Sequence, residues 1–455
     1  MSNKNLPINL YSLSQSEFNV IPGSPWVYWV NPIIRHVFRS FPALGQIGKP
    51  TVGLQTGDNF RFIRYWWEVG TSKVGFSMAD RKNAKLSNKK WFPYMKGGGY
   101  GKWYGNQFYV VNWYQDGYEI QNFYGSNGRL ASRPQNTNFY FKNGVTYSYL
   151  TSSAFSARYS PSGFIFDVAG SSLFPENPVH ILGVLNSSYA TYILKLLNPT
   201  VNFQVGDLAR IPINNTRSPG IDNIVKNLII DQKTECGNLE FTFDFIAPQK
   251  KYNPNRELKT NIEIELDKEI FELYGLSEKE REAILDEHSE NIIIDEEEKL
   301  SFDQEQIIVD QEMVIGSQHK NEVSWIAFAI GIILGRFQPG TPGALGSAIY
   351  RRSDFAIGSL PEPTEAEFNE LVGNPSQFAY VDEQGGRHVF SRPVEQALQK
   401  LALTDGIAVF DPNHVRDLPT LVSKALELML GEQGAAEVIA ALDEGRKTNG
   451  GRPSS

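Results

Sequence analysis

The residues of this chain with the clearest chemical potential are cations crowded into one short segment. Residues 81–90 hold five of them, Arg81, Lys82, Lys85, Lys89 and Lys90. Lysine carries a compact point charge suited to phosphate, a group that repeats along DNA whatever its sequence. The segment therefore predicts a loop that follows a DNA backbone. The alternative is a solvated lysine-rich loop.

A second pair of cations lies upstream, where Arg61 and Arg64 are three residues apart beside Trp66. A planar guanidinium can bind a phosphate or the edge of a guanine through two parallel hydrogen bonds. If either arginine reaches a base edge, replacing it is expected to relax specificity at one position. The alternative is that both hold the fold by pairing with Asp58 or Glu68, or by stacking on Trp66.

The sequence shows no recognisable catalytic or metal-binding pattern. The six histidines occur singly and Cys236 is the one cysteine, so no metal-ligand spacing exists. Asp58 and Glu68 could serve a nuclease, but no Glu-x-Lys arrangement supports them. Residues 97–101 are glycine-rich, yet they fit neither the dinucleotide fingerprint nor the phosphate-binding loop, and we expect a flexible loop there. We expect no catalytic, cofactor-binding or metal-binding residues in this chain.

Charge and aromatic content divide the chain into two halves. Up to residue 220 there are 21 Lys and Arg against 9 Asp and Glu, and beyond it 22 against 42. The first half also holds 39 of the 56 aromatic residues. Basic surface attracts phosphate, although such residues also serve ordinary β-rich cores and solubility. We expect residues 1–220 to bind duplex DNA with a strong dependence on salt.

Signals for secretion or membrane insertion are missing from the pattern. The N-terminus has no apolar signal core, and one cysteine cannot form a disulfide framework. The longest apolar run, residues 324–335, is too short to span a bilayer and predicts a buried helix. These features favour a cytoplasmic protein with no membrane partner.

The order of sequence patterns predicts an α+β protein. Residues 1–50 form a segment rich in Pro and Gly. Within a domain over 51–215, residues from about 51 to 180 read as short strands, such as 106–113 and 163–168. Asn127-Gly128 and Asn143-Gly144 are hairpin-type turn signals. One helix over 177–197, stopped by Asn198-Pro199, and a short strand at 209–213 close this mixed, β-rich domain.

The second half predicts a different architecture. After a linker at 214–220, residues 216–335 form an acidic helical region, in which residues 286–320 are an exposed connector. Gly275 ends one helix there, and Ser277 with Glu280 forms a capping box for the next. Residues 336–445 read as a small C-terminal α/β region with a Gly/Pro-rich loop after Pro339 and a final helix at 418–445. Residues 446–455 read as a disordered tail.

Several stretches of the sequence resemble one family when they are taken as a set. They are residues 52–67, 89–113, 156–167, 182–213, 265–276, 324–337 and 406–411. Together they are similar to the PglX adenine-specific DNA methyltransferases of bacteriophage-exclusion (BREX) systems. The similarity to the specificity domains of fused restriction–modification enzymes is more distant. The resemblance covers roughly residues 15–430.

The resemblance implies a DNA target-recognition domain at 51–215 that positions a specific duplex for N6-adenine methylation. The family's catalytic domain, which holds S-adenosylmethionine and an Asn-Pro-Pro-Tyr turn, has no counterpart here. The isolated chain is therefore expected not to methylate DNA. The candidate DNA-binding residues are Arg61, Arg64, Arg81, Lys82, Lys85, Lys89, Lys90, Lys96, Lys102 and Arg158.

The implied partners are double-stranded DNA, a chain or domain that carries the methyltransferase centre, and other BREX proteins. One alternative belongs to another functional class. In it the chain is an interaction scaffold without DNA specificity, whose acidic half docks other phage-exclusion components or a phage inhibitor that mimics DNA.

Overall fold

The computed structural model describes residues 30–69, 73–148, 155–198, 203–236, 256–289, 321–334, 392–403 and 407–448, with a few shorter pieces such as 19–23. The predicted connector beyond residue 289, the Gly/Pro-rich loop after Pro339 and the tail beyond residue 448 lie outside these residues. Helices alternate with small sheets, so the predicted α+β class is confirmed. None of the helices in the described part is long and apolar enough to cross a membrane.

The elements of the first part are short. In chain order they are α1 (Pro32–Ser40), α2 (Leu44–Ile47), α3 (Asn59–Phe62), β1 (Ile63–Tyr65), α4 (Arg81–Leu86), β2 (Trp91–Met95), β3 (Tyr109–Asn112) and α5 (Tyr114–Gln121). They continue with β4 (Gly144–Tyr147), β5 (Ala157–Ser160), β6 (Ile165–Phe166) and β7 (Ser172–Leu173).

The later elements are mainly helical. They are α6 (Pro178–Asn186), α7 (Ser188–Leu197), α8 (Val205–Leu208), α9 (Pro219–Cys236), α10 (Arg256–Leu273), α11 (Glu278–Ser289) and α12 (Asn321–Ile333). The strands β8 (Tyr380–Val381) and β9 (Arg387–His388) precede α13 (Arg392–Leu401) and α14 (Leu418–Thr448). Gly431 interrupts α14 with a positive φ of 75°.

Two sheets lie in the first part. The larger has the order β1-β3-β2-β6, antiparallel between β1, β3 and β2 and parallel between β2 and β6. Every residue of β2 and β3 is buried, which explains their nearly continuous apolar sequences. The smaller sheet is antiparallel, with the order β5-β4-β7.

Three local predictions are wrong. The helix expected over 177–197 is two helices, because Ser187 caps the second one by accepting a hydrogen bond from the Ala190 amide at 3.3 Å. Asn143-Gly144 is no hairpin turn, since Gly144 begins β4 opposite Ser160. The piece at 209–213 forms only an isolated bridge between Ala43 and Pro212.

Other local predictions are confirmed. Gly275 has a φ of 67° between α10 and α11, and the Ser277 amide donates to the Glu280 carboxylate at 2.7 Å. The Asn127-Gly128 signal marks a turn closed by the bridge between Tyr124 and Leu130. Helix α12 is buried, as its apolar sequence indicates.

Two hydrophobic clusters organise the described residues. The first joins the larger sheet to α12, α13 and α14, so Trp325 and Phe328 share a core with Phe92. The second joins α1, the smaller sheet, α6, α7, α9, α10 and part of α11. This second cluster crosses the predicted boundary at residue 215, because α9 packs against α6.

Candidate nucleic-acid interface

Helix α3 positions the first candidate arginine. The carboxylate of Asp58 accepts a hydrogen bond from the Arg61 amide at 2.9 Å and so fixes the start of the helix. The Arg61 guanidinium donates twice to Glu119 Oε1, at 3.1 and 2.8 Å, and lies 5.1 Å from the Phe123 ring. Its side chain remains half exposed. Neither Asp58 nor Glu68 is its ion-pair partner.

Arg64 lies between two aromatic rings. Its guanidinium is 5.7 Å from the ring centroids of both Phe60 and Trp91. Its Nη1 also donates to the backbone carbonyls of Phe60 and Ile63. On Trp91 a second cation approaches, with Lys90 Nζ 5.7 Å from the ring centroid. The result is a contiguous series of alternating rings and cations, which is the arrangement expected from cation–π attraction.

Arg81 connects two elements. Its Nε and Nη2 bind the two carboxylate oxygens of Asp116 at 2.9 and 2.6 Å, and Nη1 donates to Thr137 Oγ1 at 3.0 Å. The hydrogen bond to Asp116 raises the pKa of Arg81 above its usual value. With all three guanidinium nitrogens bound, Arg81 ties α4 to the α5 turn, and this leaves it poorly placed for a phosphate.

The lysines of α4 are arranged differently. Lys82 and Lys85 lie three residues apart on this six-residue helix, so their side chains share one face. Both are exposed, and neither side chain makes a hydrogen bond or an ion pair with any described residue. Lys89 and Lys90 follow, and lead into β2. Of these four lysines, Lys82, Lys85 and Lys90 are exposed and Lys89 is half-buried.

The carboxylates of residues 58–133 all have internal partners. This region, which we call the basic face, contains 12 Lys and Arg but only 5 Asp and Glu. Asp58 and Asp80 cap α3 and α4, and Glu68 accepts from the Tyr65 amide at 2.7 Å. Asp116 and Glu119 bind Arg81 and Arg61. Of the five carboxylates, Asp116 and Glu119 are the two that form ion pairs with cations of the basic face.

Glu119 is the carboxylate that most directly limits a candidate residue. It accepts from Arg61 and, through Oε2, from Asn112 Nδ2 at 2.8 Å. The hydrogen bond from Arg61 is the main reason that the pKa of Glu119 lies below its usual value. Glu119 is thus ionised at neutral pH, and it competes for Arg61 with any anion that approaches.

Three other candidates lie apart from this open surface. Lys96 is buried, with Nζ 5.8 Å from the Tyr109 ring. Lys102 is half-buried, and its charge acts on the carboxylate of Asp267. Arg158 is only 1% exposed, which excludes contact with a phosphate backbone in this arrangement.

Arg158 instead fixes the glycine-rich loop at 97–101. Its Nη1 donates to the Gly101 carbonyl at 3.2 Å and its Nη2 to Ser148 Oγ at 2.8 Å. Burial without a carboxylate partner lowers the pKa of Arg158 to about 10. The loop that we predicted to be flexible is therefore fixed by hydrogen bonds from the buried Arg158 side chain. It does not fit S-adenosylmethionine, because its carbonyls are bound from within and Gly97, Gly98 and Gly99 are buried.

Comparison with known proteins agrees with the family suggested by the motifs. Over 362 residues, 73% of the chain, the sequence is 31% identical to the adenine-specific methyltransferase PglX of Lacticaseibacillus casei (strain Zhang). The chain is of the PglX/BrxX type. It is also 33% identical, over 237 residues and 51% of its length, to the adenine-specific methyltransferase BrxX of Escherichia coli O9:H4 (strain HS).

The PglX/BrxX-type chain spans less than a third of these curated relatives. The aligned parts cover 28% of PglX and 18% of BrxX. No protein-family model matches the chain. Within the part that the structure describes, no three His, Cys, Asp or Glu side chains are grouped to hold a metal ion.

Sequence reasoning missed the exposed aromatic residues of this PglX/BrxX-type chain. Phe60 is 87% exposed, Tyr118 is 69% exposed, and Tyr114 and Tyr124 are also open to solvent. They lie on α3, on α5 and at the turn that follows α5, next to the basic face's ion pairs. The available signal was the capped turn Asp58-Asn59-Phe60-Arg61, where burial of Phe62 points Phe60 away from the core.

Proposed function

We propose that the basic face is the DNA-contacting surface of a target-recognition region in an adenine-specific methyltransferase system. There it positions a duplex for N6-adenine methylation by a catalytic domain outside this chain. The observation that carries the proposal is the internal use of all five carboxylates of residues 58–133, beside the exposed lysines Lys82, Lys85 and Lys90. The names of the relatives support a methyltransferase context.

The geometry divides the candidates by role. Lys82, Lys85, Lys89 and Lys90 would bind phosphates and set orientation, because their charges lie on or beside the exposed face of α4. Arg61 and Arg64, which are carried by α3 and β1, would each bind a phosphate or a base edge. Arg81, Lys96 and Arg158 are set aside as residues that maintain the fold, and Lys102 is half-buried with its charge acting on Asp267.

The chemistry of methyl transfer would belong to the catalytic domain. That domain would bind S-adenosylmethionine, whose sulfonium supplies the methyl group. This chain would contribute binding energy and register on the duplex. Other BREX proteins would be partners of the assembled system, in a bacterial cytoplasm.

The experiment that tests the proposal measures duplex affinity of the whole chain as a function of salt. A labelled duplex is titrated between about 50 and about 200 mM salt, with wild type and with the triple variant Lys82→Ala, Lys85→Ala and Lys89→Ala. The slope of log affinity against log salt should become shallower by about 0.9 for each phosphate contact removed. Affinity should fall on all sequences alike, because phosphates carry no direct sequence information.

A matched control removes the same charge elsewhere. Lys268, Lys279 and Lys424 are equally exposed but lie on α10, α11 and α14. Replacing these three by alanine should leave the salt slope unchanged. Absence of binding at low salt, a flat salt response, or equal losses in the two triple variants would contradict a DNA-binding basic face.

A further inference from the structure

Phe60 is the most exposed large apolar side chain in the described part of the molecule, at 87%. An aromatic ring left in water gains nothing for the fold, since it buries no apolar area. Arg61 follows it directly and Arg64 contacts it. An exposed ring between cations calls for an explanation other than core packing.

The backbone that carries Phe60 is rigid. Asp58 caps the turn by accepting a hydrogen bond from the Arg61 amide, and Thr56 Oγ1 donates to Asn59 Oδ1 at 2.6 Å. The chain then passes directly into β1, the edge strand of the larger sheet, where Ile63 pairs with Val111 of β3. The ring therefore projects from a well-ordered backbone. A side chain that inserts into a binding partner needs such a support.

The ring itself is held by Arg64. The guanidinium binds the carbonyl of Phe60 and lies between the Phe60 and Trp91 rings, so it supports the exposed ring from one side only. The other face of Phe60 is open to solvent. A flat, open aromatic face beside a fixed cation matches the chemistry of a nucleobase beside its phosphate.

The charge around Phe60 favours a nucleic acid over a protein as the partner of the exposed ring. The basic face carries 12 cations against 5 acids, and its acids are already bound. A protein interface over Phe60 would bury Arg64 and Lys90, a cost that needs carboxylates on the partner. A nucleic acid offers a stacking surface and phosphates together.

We propose that Phe60 is a wedge that inserts between stacked base pairs of the bound duplex, with Arg64 and Lys90 on the flanking phosphates. The inference rests on the proposed DNA-binding function and deepens it. Insertion unstacks one base step and untwists the helix locally. Pyrimidine–purine steps deform most readily. The chain would therefore prefer DNA with such a step at the insertion point, although no hydrogen bond to a base edge is made there.

The test uses the whole chain and a closed-circular plasmid, which presents many sequences at once. Plasmid is relaxed by a topoisomerase in the presence of the protein, and the change in linking number per bound chain is measured. Wild type should shift the linking number. Phe60→Ala should abolish the shift and weaken binding by about tenfold, the loss expected for one stacked base.

Two further variants keep the result interpretable. Phe60→Trp retains a ring that can stack and should restore the shift. Phe410→Ala removes a side chain that is 82% exposed outside the basic face, and it should behave as wild type. Because both truncated rings lie in solvent, both alanine variants should keep the wild-type melting temperature.

The outcomes separate the two proposals. A wild-type chain that binds plasmid without changing its linking number overturns the wedge and leaves DNA binding standing. A Phe60→Ala chain that still shifts the linking number also overturns the wedge. So does a Phe60→Ala chain whose only defect is loss of association with a methyltransferase chain. No binding at low salt overturns the basic face as a DNA surface, and the wedge with it.

Discussion

The basic face and the second hydrophobic cluster use polar groups in opposite ways. In the basic face the carboxylates serve as helix caps and as ion-pair partners, and Lys82, Lys85 and Lys90 face solvent. In the second cluster polar groups lie inside and join helices. A ring nitrogen of the buried His180 is 3.0 Å from the Asn214 carbonyl, and Asp267 on α10 binds Ser188 on α7. Net charge alone does not distinguish these two arrangements.

The difference teaches where substitutions should matter. A polar group that is exposed can be removed at little cost in stability, because water replaces its partners. A buried polar group leaves its partners without hydrogen bonds when it is removed. We therefore expect substitutions in the basic face to lower DNA affinity while leaving the free energy of unfolding almost unchanged. Substitutions in the second cluster should lower the free energy of unfolding instead.

The largest effect on stability should come from Arg158→Met. The change leaves the Gly101 carbonyl and Ser148 without their buried donor, and we expect a loss of about 3 kcal/mol in the free energy of unfolding. Urea unfolding measures it. Lys85→Ala, in the basic face, is the control and should cost less than about 1 kcal/mol, because this side chain is exposed. Equal losses in the two variants would erase the proposed contrast between the regions.

A smaller effect is expected at Asp267. Its carboxylate accepts from the Ser188 amide at 2.9 Å and from Ser188 Oγ at 2.5 Å, so it caps the first turn of α7 from another helix. Asp267→Ala should lower the free energy of unfolding by about 1–2 kcal/mol. A loss within experimental error would mean that α7 does not depend on this contact.

Asp267 also predicts a dependence on pH. Burial raises the pKa of its carboxyl above the ordinary 3.8, so the folded protein binds this proton more tightly than the unfolded chain does. Its contribution is fully present below the unfolded pKa and is lost as pH rises through the folded pKa. Asp267→Asn cannot titrate, so its stability relative to wild type should increase over that window. An unchanged difference between pH 3 and pH 7 would contradict the assignment.

The smallest effect is expected at Glu119. Removing its charge by Glu119→Gln frees Arg61 for phosphate, and duplex affinity should rise by a factor between about 1.5 and about 5, as for an exposed ion pair. Stability should change by less than about 1 kcal/mol, since the pair is half exposed. Binding titrations at one fixed salt concentration measure the gain, and a decrease in affinity would show that Arg61 faces no anion.

Local sequence patterns were enough to predict several elements of the fold. The capping box at Ser277, the stop at Gly275 and the apolar run of α12 each depend on residues within one or two turns, and all are confirmed. The break at Ser187 was missed because the apolar period continues through it, and only the cap hydrogen bond reveals two helices.

The candidate site was harder to read, for a physical reason. Arg61 and Arg158 are alike in sequence terms, each a cation near aromatic residues. Their partners come from distant segments: Glu119 is 58 residues from Arg61, and the Gly101 carbonyl is 57 residues from Arg158. The exposure of Phe60 was also missed, because the signal for it lies in a four-residue turn among many buried aromatic residues. The DNA contacts themselves stay predictions.

The close approach of α6 and α9 determines where the chain could be joined to another sequence without separating packed surfaces. A Cβ on Gly183 would lie 2.7 Å from Val225 Cγ2, so the two helices fit around a missing side chain. Trp103, beside the glycine-rich loop, also donates to Glu263 on α10 at 2.6 Å. A recombined gene joined near residue 215 would separate matched surfaces. A junction beyond residue 289 would keep α6 with α9 and α10, but it would separate the larger sheet from α12 and α14, with which that sheet shares a core.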